Sequence, residues 1–164
     1  MPWLTAMNAR LSRWAMYIAC LCLVGLLGVV VYGVVLRYVF NNAPPYVEQV
    51  ALLLVVSVAM FGASAGVRDA GHIGLDSLVA VLPKTAQFWC EVIVRLLSIV
   101  FAVALFAGGA EMANSTRAST IPTLGLSEAV RYIPILASGV LITLFSIEHL
   151  LAKFSGQKVA PSWH

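Results

Sequence analysis

Residues 37–76, RYVFNNAPPYVEQVALLLVVSVAMFGASAGVRDAGHIGLD, hold a polar turn, a charge-free apolar run of 19 residues from Gln49 to Val67, and a second polar turn with a histidine and two aspartates. A helix rises 1.5 Å per residue, so such a run matches a hydrocarbon core about 30 Å thick. Neither Pro44 nor Pro45 sits comfortably inside a helix, which places the start of this one after them. Glu48 then falls in its first turn, where a negative charge suits the helix dipole. Within the run Gly62 and Gly66 form a GxxxG pair, overlapped by Ala59 and Ala63 at the same spacing. Small residues four apart make a flat ridge for close helix packing, within the chain or against a partner. Arg68 and Asp69 close the run.

Upstream, residues 1–13 form a short amphipathic lead with Arg10 and Arg13, and Trp14 to Leu36 runs 23 residues without a charge. That is about 35 Å of helix, too long for the core of a signal peptide, and reads as a retained first span. Gly25, Gly28 and Gly33 mark it for close helix approach. Downstream, the apolar spacing from His72 to Leu82 suits a short helix in the membrane interface, ended by Pro83 and Lys84. A third span follows from Phe88 to Glu111, with Glu91 and Arg95 as an i, i+4 pair near its start. A polar connection over 111–127 leads to Ser127, a plausible N-cap, and to a fourth span from Ala129 to Leu151 that Pro134 is placed to kink. Glu148, His149, Lys153 and Lys158 mark its exit. The expected architecture is an all-α integral membrane protein. A single four-span domain covers 1–164, with spans at about 14–36, 49–67, 88–111 and 129–151 and an interfacial helix at about 72–82.

Composition agrees. Hydrophobic residues make up 61% and charged residues 10% of the chain, and the mean hydropathy is +0.94, outside the range of water-soluble domains. Cys20 and Cys22 point to different helix faces, and with Cys90 they read as small apolar side chains. Four spans put both termini on one side. That side carries Arg10, Arg13, Arg68, Lys84, Arg95, Lys153 and Lys158, against Arg37, Arg117 and Arg131 on the other. The bias places both termini in the cytoplasm. Anionic lipid is partner enough for this basic face, with no call for nucleic acid.

The chemistry-bearing classes are poorly served. A transporter of polar solutes usually carries an ionisable residue deep in a span, and these spans have charges only towards their ends. Paired Gly/Pro interruptions of the midplane type are missing. His72 and His149 fall at the rim and His164 is the last residue, a poor arrangement for haem. No exposed cysteine pairs or hydrolase motifs occur, so no enzyme reading survives. A protein that holds something else is left, with a stand-alone exporter or membrane assembly factor as the alternative.

The central stretch resembles a known family. Arg37-Tyr38-Val39-Phe40-Asn41, Tyr46-Val47-Glu48-Gln49, Gly62-Ala63 and Arg68-Asp69-Ala70-Gly71-His72-Ile73-Gly74-Leu75-Asp76 look like the signature of the small membrane subunit, DctQ-type, of tripartite ATP-independent periplasmic (TRAP) transporters. The Ile121-Pro122 loop and the fourth span with Tyr132 and Pro134 also fit. The chain departs from the pattern at Tyr46, where Trp is frequent, and at Gln49, where a second acid is frequent. The resemblance implies a non-catalytic subunit of the bacterial inner membrane that enlarges the fixed scaffold of a large DctM-type elevator subunit. It implies a periplasmic DctP-type binding protein that delivers an organic acid. It also implies sodium sites in the large subunit, and no cofactor in this chain. On this reading Arg37 and Glu48, at the outer ends of adjacent spans, either pair with each other or meet the partner. His72 and Asp76, one turn apart, share a hydrogen bond that fixes the interfacial helix, or touch the large subunit. Gly62 and Gly66 offer a packing ridge, and Arg68 belongs to the rim.

Overall fold

The computed structural model describes residues 2–69, 83–121, 123 and 125–155. Four helices long and apolar enough to cross a membrane make up almost all of it, and no strand occurs among the described residues. They are α1 (Pro2–Tyr38), α2 (Pro45–Asp69), α3 (Lys84–Ser115) and α4 (Ile133–Phe154), with a 3-10 helix (Glu128–Tyr132) leading into α4. The helices outrun the apolar segments. The amphipathic lead continues α1 without a break, giving 37 residues, or about 55 Å of helix. Pro45 opens α2 from within instead of preceding it, since a first-turn proline has no hydrogen bond to lose. Pro134 likewise lies at the start of α4, where it ends the 3-10 turn and leaves no helix to kink.

Polar side chains and left-handed residues close the connections. Asn41, with φ 48°, turns the chain between α1 and α2, a conformation asparagine tolerates better than most residues. The Ser127 hydroxyl accepts from Ala129 N and donates to the Arg117 carbonyl, so it caps the 3-10 helix and ties down the loop before it. Gly125, at φ 64°, supplies the reversal that lets Ile121 N reach the Leu126 carbonyl at 2.8 Å.

The helices pack in an open row. α1 lies along α2, α2 along α4 and α4 along α3, with only slight contact between α1 and α4. The inner pair meets through a seam of small residues. Ser57, Ser64 and Ala65 of α2 are buried, as are Ser138 and Ser146 of α4. Three of the four serines satisfy themselves locally: Ser57 and Ser64 donate to Leu53 O and Phe61 O, and Ser138 to Ile135 O, whereas the buried Ser146 hydroxyl has no partner among the described residues. Hydroxyls spent this way leave backbone-sized surfaces, which suits close packing where lipid supplies no hydrophobic drive. Gly139 is needed at the α3–α4 crossing, where a Cβ would stand 3.1 Å from both the Ala102 carbonyl and Phe106 Cβ. On α1 the buried stripe is Asn8, Ser12, Ala15 and Ala19, a helical spacing that runs straight through the lead. Outward faces are apolar: Leu21, Val24 and Leu27 of α1 and Leu97, Val100 and Phe101 of α3 are exposed, as lipid contact requires. All three cysteines are free.

Candidate functional site

One end of the row is built around Arg68. It occupies the last turn of α2, and its side chain is 1% exposed. Its Nε donates to Glu148 Oε2 at 3.2 Å and its Nη2 to Oε1 at 3.3 Å, a forked grip on one carboxylate. Nη1 reaches Asp69 Oδ1 at 3.0 Å, and Nη2 also meets the Thr5 carbonyl. Asn8 donates to Glu148 Oε2 at 2.9 Å, and the Ser12 hydroxyl donates to Asp69. α1, α2 and α4 are thus joined through two carboxylates and one guanidinium.

The same cluster closes the α2 terminus. A helix ends with four carbonyls that have no partner in the helix. Here His149 Nε2 donates to the Arg68 carbonyl at 2.9 Å, and Arg95 of α3 donates to the Val67 carbonyl at 3.2 Å. Bonding to a carbonyl identifies Nε2 as the protonated ring nitrogen. All four helices therefore meet at this end. Because Asn8 lies near the start of α1 and Glu148 near the end of α4, those two helix ends share one side of the row. Glu91 and Arg95 do not serve only their own helix: Glu91 pairs with Lys153 of α4 at 2.5 Å, an exposed contact beside this cluster.

The chemistry of this cluster is cohesion. Asp69 and Glu148 are nearly as buried as Arg68, with 7% and 4% of their side chains exposed, and such charges persist only where partners replace their water. Among the described residues, no group of three or more His, Cys, Asp or Glu is placed to hold a metal ion.

The opposite end is open. Arg37 and Glu48 are both exposed and line one cleft between α1 and α2, of about 320 Å³, yet no ion pair within 4.0 Å joins them. Gly33 and Val47 share its wall; a Cβ on Gly33 would stand 2.7 Å from Val47 Cγ1, so the glycine is what lets α2 come this close. Arg131 of the 3-10 helix donates to Gln49, which tethers the start of α4 to α2. A neutral acceptor at 49 is enough for that hydrogen bond.

The remaining expected site residues divide. A Cβ added at Gly62 or Gly66 would meet nothing within 4 Å among the described residues, so their ridge packs against no described part of this chain. His72 and Asp76, with the interfacial helix at 72–82, lie outside the described residues. Arg68, read as a rim residue, is instead the buried hub. Glu148 and His149, which bond to Arg68, and Asn8 and Ser12, which bond to Glu148 and Asp69, were missed as members of this cluster. Two signals for them were available: the i, i+4, i+7 and i+11 spacing of Asn8, Ser12, Ala15 and Ala19, and Glu148 as the one acid within α4.

A family model for the DctQ component of tripartite ATP-independent periplasmic transporters matches residues 26–156. A Haemophilus influenzae protein named as a TRAP transporter small permease protein is 24% identical over 145 residues, 88% of this chain and 90% of its own length. A second protein so named from that organism is 22% identical, over 80% of this chain and 81% of its own. The sialic acid TRAP transporter permease protein SiaT of Haemophilus influenzae is 30% identical over 77 residues, 47% of this chain and 12% of the permease.

Proposed function

This chain belongs to the family of DctQ components, the small permease proteins of TRAP transporters, and we propose that it is the non-catalytic scaffold of a sodium-coupled carrier of organic acids. The observation that carries the proposal is the distribution of charge and packing in the row. Charged side chains are confined to the two ends, and the buried ones are spent on holding helices together. Between the ends this chain offers apolar faces and an unfilled ridge of small residues. Such a body suits an anchor better than a solute path.

The partner is a large DctM-type subunit, which holds the sodium and substrate sites. In support, SiaT carries a stretch similar to this chain inside a much longer permease. An elevator subunit moves part of itself across the membrane, and a wide fixed neighbour keeps the remainder from being dragged along. The ridge Ala59, Gly62, Ala63 and Gly66 is the face we assign to that neighbour, because small residues let a second helix come close and nothing described in this chain does so. A DctP-type binding protein delivers the acid from the periplasm. The chain sits in the bacterial inner membrane with both termini cytoplasmic, an orientation the Lys and Arg bias supports.

The test is purification of the tagged chain from its native membrane in mild detergent, followed by mass spectrometry and reconstituted uptake. A stoichiometric multi-span partner and sodium-dependent organic acid uptake that needs both chains are expected. Recovery of the chain alone, with the partner shown to be expressed, would refute the scaffold.

A further inference from the structure

The Arg37 end of the molecule carries a cation and an anion with no ion-pair partner among the described residues, at the mouth of an apolar cleft. From this we propose that the cleft between α1 and α2 binds one phosphatidylethanolamine molecule. Its phosphate rests on Arg37, its ammonium on Glu48, and an acyl chain lies against Val30, Gly33, Val34 and Val47.

Position is the first argument. Arg37 ends one apolar span and Glu48 begins the next, so both stand where lipid headgroups lie. Tyr38 and Phe40 are 80% and 67% exposed beside them, and aromatic side chains gather at that depth. Charge is the second. Arg37 and Glu48 line the same cleft, lie further than 4.0 Å apart and have no other ion pair among the described residues. Both side chains are exposed, so each stays open to a ligand at the cleft mouth. A ligand carrying both signs satisfies each, and an aminophospholipid headgroup is such a ligand. Shape is the third. The cleft holds about 320 Å³, at the small end of ligand sites, and apart from Arg37, Glu48 and Tyr38 its lining is valine, glycine, alanine and proline. That wall suits hydrocarbon and gives a water-soluble acid nothing to bond.

The charge pattern also predicts selectivity. Phosphatidylglycerol offers Arg37 a phosphate but brings no cation for Glu48. Phosphatidylcholine brings a cation that has no N–H to donate. Only the ethanolamine headgroup makes a charge-assisted hydrogen bond to the carboxylate, a difference on the order of tenfold in affinity.

The test is native mass spectrometry of the delipidated full chain, offered in turn phosphatidylethanolamine, phosphatidylcholine and phosphatidylglycerol with identical acyl chains. One phosphatidylethanolamine should be retained about tenfold better than either of the others. Arg37→Ala should abolish retention of all three, whereas Glu48→Gln should keep binding and lose the preference over phosphatidylglycerol. Equal retention of the three lipids by the unaltered chain overturns the proposal without any variant, as does a preference that survives Arg37→Ala. In native membranes, a photo-crosslinking residue at Val34 should capture phospholipid. Capture of a protein segment there would show that the cleft is a protein interface and overturn the proposal too.

Discussion

Glu148→Gln is the sharpest probe of the buried cluster. The substitution keeps size and removes charge. With the amide oxygen at the Oε2 position the Nη2 arm at 3.3 Å is lost; with it at the Oε1 position the Nε arm at 3.2 Å and the Asn8 bond at 2.9 Å are lost together. Removing one partner of a buried pair costs about 3–5 kcal/mol, chiefly because the other charge is left without compensation. Asp69 remains 3.0 Å from Arg68, so the low end applies, about 3 kcal/mol. That is a shift on the order of a hundredfold in the folding equilibrium. Reversible unfolding in mixed micelles, followed by circular dichroism, measures it. A double-mutant cycle with Asn8→Ala sharpens the test. Asn8 bonds directly to the altered group, so the double variant should differ from the sum of the singles by about 1–2 kcal/mol. If Glu148→Gln lies within about 0.5 kcal/mol of the unaltered chain, or if the two effects simply add, the cluster does not hold the helices together.

Other expectations follow from the same geometry. Glu91→Gln breaks an ion pair whose two side chains are 44% and 35% exposed, so the same unfolding assay should show a loss below about 1 kcal/mol. Gly33→Ala forces a Cβ to 2.7 Å from Val47 and should destabilise the α1–α2 pair by about 1–3 kcal/mol, read as a lower unfolding midpoint. Gly139→Ala meets the backbone of α3 at 3.1 Å and should lower stability by a similar amount, about 1–3 kcal/mol. Gly62→Ala adds a Cβ that meets nothing within 4 Å among the described residues; the stability of the chain alone should not fall, while co-purification of the large subunit should.

Much of this molecule was legible from its residues in order. Membrane crossing is a local property: a run such as Gln49 to Val67 prefers hydrocarbon whatever its neighbours do, so the four helices and their sequence could be read directly. The cap at Ser127 and the break at Pro44 were equally local. Helix length was less so. Residues 1–13 read as a separate lead because they carry charge, yet their Asn8 and Ser12 continue the stripe of Ala15 and Ala19 and extend α1.

What tertiary structure alone decided is which face of each helix meets which neighbour. Gly62 and Gly66 stand about 160° around α2 from Ser57 and Ser64, at 100° per residue. Either pair could have formed the internal seam, and the structure assigns it to the serines and leaves the glycines open. The same holds for charge. Arg68 reads as a rim cation because it ends an apolar run, but a residue 80 positions away supplies the carboxylate that lets it be buried. Burial of a charge depends on a partner's approach in space, and the order of residues along the chain carries no distance between helices that only folding brings together.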